Sequence, residues 1–426
     1  MNSVAVLVEL TRNPMSGGQV KCWERFAEAA ARLPEELPDG PVPDLTVYFL
    51  GERDRVETLS PHVRFVMLRP VLSTAALMSA DGAADASDLA PYHHRLATLL
   101  PRHDVWHLTH SFAYATTAVR LARAAARRGP RVPRLVASVH TDVPKLTSVY
   151  TRYFADRGLP LPGDLLADRT ERWLRRRRDR LLNACERVLV PTPAGRAEFA
   201  PLLGPHRVSL LRRGTDHDRF HPDPTARARL ARRYGLPTDR PLVLFAGRLD
   251  ASKGLPLLAR SLRLLHARGG RAHLVMAGSG AEADAVHRLL GTDATLLGPL
   301  PQERLAPVYA GCDVFAFPSR TETCGNVVAE AMASGLAVLL PEGAATTQWL
   351  TAPGRDGIVV PDDDPHTWAD ALSTLVSHPG HLATVRTHAA ATARHHHPTW
   401  DRVLTEDLLP HWTPVSAYGT THVRAA

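Results

Sequence analysis

Two glutamates eight residues apart, Glu322 and Glu330, flank a Gly-Asn pair in the stretch SRTETCGNVVAEAMASG, residues 319–335. Carboxylates so placed could form an acid/nucleophile pair for glycoside cleavage, a clamp on ligand hydroxyls, or a solvated helix face. An apolar run from Val314 to Phe317 meets Pro318, and the residues after Asn326 are dense in helix formers, so the segment reads as strand, turn and helix. Glu322 then falls in the turn and Glu330 about a turn into the helix. A retaining pair needs its carboxyls about 5 Å apart, and a loop residue and one on the following helix are not obliged to converge.

Other stretches carry chemistry of their own. GRLDASKG, residues 247–254, follows the apolar run LVLFA and presents Arg248 and Lys253 between glycines. Glycine lets backbone come close to a ligand and two cations suit a diphosphate, although a solvated loop accounts for the same residues. The spacing is not that of a Walker loop. AGSGAEA, residues 277–283, fits the loose dinucleotide pattern at Gly278, Gly280 and Ala283. The next strand, ATLLGPL, lacks the acidic residue that such a site requires, so the glycines are read as a tight strand-to-helix turn. His140 ends the apolar run of SVHTDVPK beside Thr141, Asp142 and Lys145, where it could donate or accept a hydrogen bond, but it is one of 22 histidines. Gly17 and Gly18 follow the first strand and would allow close approach to a ligand at a helix N-terminus. Only three of the 51 basic residues are lysines, Lys21, Lys145 and Lys253. Arginine thus supplies generic positive charge, which enriches the lysines for positions that need a compact ammonium.

The elements that must position these residues alternate along the chain. SVAVLVEL, DLTVYFL, DVWHLTH, RLVASVH and RVLVPT are separated by helical stretches, and RPLVLFAGRL, AHLVMAG, ATLLG, CDVFAFPS and LAVLLP repeat the scheme. This alternation predicts parallel sheets with right-handed crossovers, hence two doubly wound α/β domains whose ligands sit at the carboxyl ends of strands. A length of 426 residues with 44% hydrophobic content agrees with two cores. Gly, Asp and Pro interrupt both periodicities in LLRRGTDHDRFHPDP, residues 210–224, which places a joint near Gly214. The expected division is a first Rossmann-like domain over 1–213, a second over 214–395, and a closing helix and tail over 396–426. Residues 71–90, small and aperiodic, read as an excursion or lid, and the histidines 395–397 as a polar cap.

No charged leader or membrane-length apolar run is present, so a cytoplasmic location is expected. Cys22, Cys185, Cys312 and Cys324 show neither CxxC nor metal-ligand spacing, which implies free thiols. The net charge of +8 is concentrated in RTERWLRRRRDRLL, residues 169–182, where a solvated basic face is the first reading and lipid headgroup contact the second. A nucleic-acid motif is absent.

Taken together, the chain resembles the retaining nucleotide-sugar glycosyltransferases of the large family 4. The resemblance runs through SGGQV, DVWHLTH, SVHTD, the joint RRGTDHDRFHP, GRLDASKG, PSRTETCGNVVAEAMASG, DGIVVPDDDP and the closing TW helix. In motif style it is most similar to the branch holding sulfoquinovosyl-diacylglycerol synthase and α-mannosyltransferases. It implies the GT-B fold: two facing Rossmann-like, doubly wound parallel-sheet domains with a C-terminal helix crossing back to the first. It also implies a nucleotide-sugar donor, with a UDP-sugar favoured and GDP-mannose second, and a small-molecule acceptor such as an aminocyclitol or sugar. No metal or other cofactor is implied.

By the same resemblance, Arg248 and Lys253 hold the diphosphate, Glu330 accepts the ribose hydroxyls and Glu322 contacts the transferred sugar. His140 binds the sugar near the reaction centre. Gly247 and the backbone N–H groups of Gly325, Asn326 and Val327 face sugar and phosphate, and Gly17 and Gly18 make room for phosphate and acceptor. Three departures stand out: Cys324 replaces a usual aromatic, Gln348 a frequent glutamate, and the loop around it reads EGAATTQ. Alternatives are a glycolipid-forming enzyme at the membrane surface, a hydrolase or phosphorylase working through Glu322 and Glu330, and a nucleotide-sugar epimerase or binding protein.

Overall fold

The computed structural model of the protein describes residues 2–13, 16–36, 42–73, 87–129, 132–140 and 163–413. Thr141, Asp142 and Lys145 lie outside the described residues, as does most of the expected excursion at 71–90.

Among the described residues fourteen strands form two sheets. The first contains β1 (Ser3–Thr11), β2 (Asp44–Leu50), β3 (Arg55–Ser60), β4 (Val63–Leu68), β5 (Val105–Leu108), β6 (Arg134–Ser138), β7 (Arg187–Val190) and β8 (Val208–Leu210). Their order is β3-β4-β2-β1-β5-β6-β7-β8, with only the β3–β4 edge pair antiparallel. The second contains β9 (Leu242–Ala246), β10 (His273–Ala277), β11 (Ala294–Gly298), β12 (Val314–Ala316), β13 (Ala337–Pro341) and β14 (Ile358–Val360), all parallel, in the order β11-β10-β9-β12-β13-β14. Every residue of β9, β10 and β13 is buried, the expected state of strands covered on both faces of a parallel sheet. In β1 the pleat divides the side chains: Val4, Val6 and Val8 enter one apolar cluster, Ala5 and Leu7 another. The two doubly wound sheets read from the alternation are both present.

Each sheet reverses its winding once. In the first sheet the chain builds outward from β1 through β2 and β4, then returns to lay β5 on the other side of β1. In the second the reversal falls between β9 and β12. Such switch points open a crevice at the carboxyl ends of the strands. The loops that border them carry Gly17 and Gly18 after β1, GRLDASKG after β9 and SRTETCG after β12.

The closing helix runs over Trp400–Val403, passes through a π-helical stretch at Leu404–Leu408 and ends with Leu409–Trp412. Its apolar residues pack into the cluster of Val4, Phe26 and Leu45, with Trp400 edge-on to Phe26 at 4.9 Å. The chain therefore returns to the first sheet after completing the second. At the joint, Arg212 donates to Asp407 through its backbone N–H at 2.8 Å and its guanidinium at 2.6 Å. Beside it, a Cβ at Gly214 would lie 2.5 Å from Trp400 Cα, so the joint and the helix touch through a position that admits only glycine.

The basic helix Gly163–Asn183 is less uniform than its sequence implies. Arg175 and Arg176 face solvent, but Arg178 is buried over the Phe199 ring at 4.7 Å and Arg177 donates to Ser111 O at 2.8 Å. Among the described residues no helix is long and apolar enough to cross a membrane.

Candidate active site

The loop after β9 is shaped by one carboxylate and two glycines. Asp250 accepts from Lys253 N at 3.2 Å and from Ser252 Oγ at 2.6 Å, capping the turn Ala251–Lys253. Gly254 follows at φ 75°, and a Cβ there would lie 2.7 Å from Pro318 Cβ and 2.8 Å from Pro318 O. The β9 loop is thereby seated directly on the β12 loop. Lys253 Nζ reaches Glu322 Oε1 at 2.6 Å, and Thr321 Oγ1 donates to Ser252 O at 3.2 Å. Arg248 stands on the same loop, 43% exposed and 3.6 Å from the Asp250 carboxylate.

The AGSG glycines support this loop from below. A Cβ at Gly278 would lie 1.8 Å from Gly247 O and one at Gly280 would lie 2.4 Å from Leu249 O, while Leu249 N donates to Ser279 O at 2.9 Å. They form the tight turn expected of them, and that turn underpins the cationic loop.

Gly325, at φ 68°, turns the chain into the helix Asn326–Ala333. The first-turn N–H groups of such a helix have no partner inside it and present a positive dipole end, an arrangement suited to phosphate. Glu330 lies one turn in, with the buried Tyr309 hydroxyl beside it and Gln302 Nε2 at 3.5 Å. Burial pushes its carboxyl up to about 7. Glu322 and Glu330 thus have separate surroundings, the one a lysine and the other a phenol and an amide.

Facing these loops is the carboxyl edge of the first sheet. His140, just beyond β6, is 5% exposed and lines a small cavity with Thr109, His110 and Ser111. Its ring nitrogens meet Ser138 Oγ at 2.6 Å and Arg213 at 2.8 Å, its ring rests 5.5 Å from Trp23, and its backbone carbonyl accepts from Thr323 Oγ1 of the second half. The structure therefore brings His140, Lys253 and Glu322 to one junction. Gly18 opens the first helix, Gly18–Glu36, with nothing within 4 Å of a Cβ placed on it. From the same helix Arg25 reaches Gln302, whose oxygen also accepts from Arg219 at 3.0 Å. A cavity of about 180 Å³ opens between that helix and Pro301–Glu303, lined by Arg12, Lys21 and Arg25.

Cys324 finds its account here. Its thiol is buried beside Cys22 and Arg213, and burial pushes it up to about 12. Its carbonyl accepts from Trp349 Nε1 at 2.8 Å and from Gln348 Nε2 at 3.3 Å. Gln348 is thus a donor to backbone, which a glutamate could not be. Sequence reasoning did not single out Arg213, Ser138, Gln302 or Arg25. Arg213 lies in the joint, Ser138 and Arg25 in segments read as strand and helix, and Gln302 in a stretch given no reading; only the folding of distant segments brings them to this junction.

Residues 54–219 match the model described as Glycosyltransferase Family 4, and residues 240–378 that described as Glycosyl transferases group 1. A GDP-mannose-dependent alpha-mannosyltransferase from Mycobacterium tuberculosis is 32% identical over 287 residues, 67% of this chain and 68% of that protein. The chain belongs to glycosyltransferase family 4. Another family relative, a D-inositol 3-phosphate glycosyltransferase from Xylanimonas cellulosilytica, is 30% identical over 273 residues, 61% of this chain and 64% of its own length. The chain spans about half to two thirds of the first curated relatives it matches. The GT-B fold is shared with sucrose-phosphate synthase from Thermosynechococcus elongatus, at TM-score 0.66 and 20% identity over 95% of this chain and 97% of that one.

Proposed function

We propose that this family 4 member is a retaining glycosyltransferase that moves a sugar from a nucleotide diphosphate sugar to a hydroxyl of a small polar acceptor in the cytoplasm. The observation that carries this reading is the meeting of Lys253 and Glu322 at the switch point of the second sheet, with Glu330 one helical turn beyond. Lys253 and Arg248 hold the diphosphate and meet the charge that builds as the sugar leaves. Glu322 binds sugar hydroxyls, and Glu330 the two hydroxyls of the ribose. The N–H groups of Gly325, Asn326 and Val327 face phosphate.

Transfer takes place on one face of the sugar. The bond from the anomeric carbon to the phosphate oxygen breaks, the acceptor oxygen bonds to the same face of that carbon, and the acceptor proton passes to the departing phosphate oxygen. No enzyme carboxylate becomes covalently attached, and the reaction as written gives a metal ion no role.

The donor is a UDP- or GDP-sugar. The D-inositol 3-phosphate named for one relative makes a cyclitol, free or phosphorylated, the acceptor class to test first, and the GDP-mannose named for another keeps a GDP-sugar beside a UDP-sugar as donor. Thermal-shift measurements with UDP-, GDP- and ADP-sugars, followed by mass spectrometry with an acceptor panel, test the reading. Absence of any nucleotide-sugar binding, together with an inert Glu330→Ala, would remove it. Release of free sugar from glycosides without nucleotide would instead favour a hydrolase.

A membrane-surface acceptor is a second reading, favoured by Trp173, 54% exposed on the arginine-rich helix. It requires binding to anionic vesicles that is lost when Arg175 and Arg176 are neutralised.

A further inference from the structure

A buried hydrogen-bonded chain runs behind the site from one end of the first sheet's carboxyl edge to the joint. Trp412 Nε1 donates to His107 Nδ1 at 3.0 Å, and His107 Nε2 lies 2.7 Å from Ser138 Oγ. The same oxygen lies 2.6 Å from His140 Nε2, and Arg213 donates to His140 Nδ1 at 2.8 Å. All five residues are less than one tenth exposed.

The donors fix the protons. An indole N–H and a guanidinium can only donate, so the Nδ1 atoms they face are acceptors. Each neutral ring then carries its proton on Nε2, and both Nε2–H groups converge on the two lone pairs of Ser138 Oγ. Neither ring nitrogen of His140 is left over for a ligand.

The surroundings keep that state neutral. Arg213 faces His140 from the joint, His107 and His110 from β5 and the residues after it, Ser138 from β6, Trp23 from the first helix and Thr323 from the second half. None of these bears negative charge. Burial first, then the Arg213 cation, hold His140 well below the usual histidine range. Arg213 itself is 5% exposed, and among the described residues it donates to the carbonyls of Leu211 and Arg212 at 3.4 and 3.5 Å and to His140. Among the described residues no carboxylate pairs with it. A guanidinium buried without a carboxylate partner among the described residues is costly.

We propose that Arg213 is a positioning residue for sugar transfer: by occupying Nδ1 it fixes His140 as a neutral wall of the donor-sugar site that transfers no proton during the reaction. The proposal rests on the placement of His140 at that site. It also leaves the departing phosphate as the group that receives the acceptor proton.

The test compares Arg213→Met, Arg213→Lys, Ser138→Ala and His140→Ala in the full chain. The readouts are kcat and donor KM over a pH series, and nitrogen NMR of labelled histidine. Arg213→Met is expected to lower kcat roughly ten- to a hundredfold, the scale set by a small misplacement at a reacting centre, with donor KM little changed. Nitrogen NMR should show the His140 Nδ1 signal displaced from wild type, because its donor is gone. Arg213→Lys should recover most of kcat and the wild-type Nδ1 signal, since an ammonium can still donate to Nδ1. Wild-type kcat in Arg213→Met would overturn the proposal, as would Arg213→Lys performing no better than Arg213→Met. If Arg213→Met does not fold, Ser138→Ala decides: His140 should keep an unprotonated Nδ1, and a protonated Nδ1 would overturn the assignment. His140→Ala separates the two levels. Unchanged kcat there removes His140 from the site and the proposal with it, whereas a fall there without any effect in Arg213→Met removes only the role of Arg213.

Discussion

Lys253 Nζ lies 2.6 Å from Glu322 Oε1, so the cation proposed for phosphate and the carboxylate proposed for sugar neutralise each other before a donor arrives. A donor replaces one ion pair with two sets of charge-assisted hydrogen bonds, which leaves the loops preorganised while their charges remain compensated. The pairing predicts an asymmetry. Lys253→Ala should weaken UDP or GDP binding about ten- to a hundredfold, the worth of a hydrogen bond to a charged group. Glu322→Ala should leave binding of the free nucleotide unchanged or tighter, because Lys253 is released, while kcat falls by a comparable or larger factor. Calorimetry with the nucleotide, set beside initial rates, reads both; equal loss of nucleotide affinity in the two variants would contradict the division.

Glu330 predicts a pH dependence. Burial raises its carboxyl from 4.5 to about 7 in the folded protein, so the folded state holds a proton that the unfolded state releases between those values. This group's contribution to stability is therefore fully present below pH about 4.5 and is lost as pH rises toward and through 7. Nucleotide binding should run the opposite way, since ribose hydroxyls bind the ionised form. Affinity should fall below pH 7, by at most about tenfold per pH unit for one proton. Glu330→Gln should bind nucleotide weakly at every pH and abolish that slope. Titration of nucleotide affinity between pH 5.5 and 8.5 in both proteins checks this.

Much of this arrangement was legible in the sequence because it is local. The strands β9, β10 and β13 are uninterrupted apolar runs, and parallel alternation directs the loops after them to one edge. The dinucleotide-like glycines at 277–283 read as a turn because one acidic residue is missing, and their contact with Gly247 and Leu249 bears that out. The illegible part is contact between distant segments. His140 and Arg213 are 73 residues apart, and Trp412 and His107 are separated by 305. Neither periodicity nor motif spacing reports a hydrogen bond across such an interval. The arginine run shows a second limit: a charge pattern does not say which guanidinium packs on a ring, and here Arg178 does while Arg176 does not.

That difference within the run is measurable. Arg178 covers the Phe199 ring at 4.7 Å and is 8% exposed. Arg178→Ala removes both a cation–π contact and the packing of the side-chain stem, and should cost about 1–2 kcal/mol in urea unfolding. Arg176→Ala, on the solvent face, should change stability by less than about 0.5 kcal/mol. If the membrane-surface reading holds, vesicle affinity should show the reverse ranking, with Arg176→Ala the more damaging.

The sharpest structural prediction concerns Gly278. Its φ of 147° disfavours any L side chain, and a Cβ there would sit 1.8 Å from Gly247 O, at the base of the loop that carries Arg248 and Lys253. Gly291 provides the control: it too has a positive φ, 56°, but a Cβ would meet nothing within 4 Å. Gly291→Ala should therefore pay only the backbone term, about 1–2 kcal/mol, and keep its affinity for nucleotide. Gly278→Ala carries a comparable backbone term and must also displace Gly247, so it should lose more stability and, where folded, bind UDP or GDP at least about tenfold less tightly, the equivalent of one weakened charge-assisted contact. Urea unfolding together with nucleotide calorimetry on both variants distinguishes the terms. Equal affinities in the two would show that the AGSG turn does not hold the cationic loop in place.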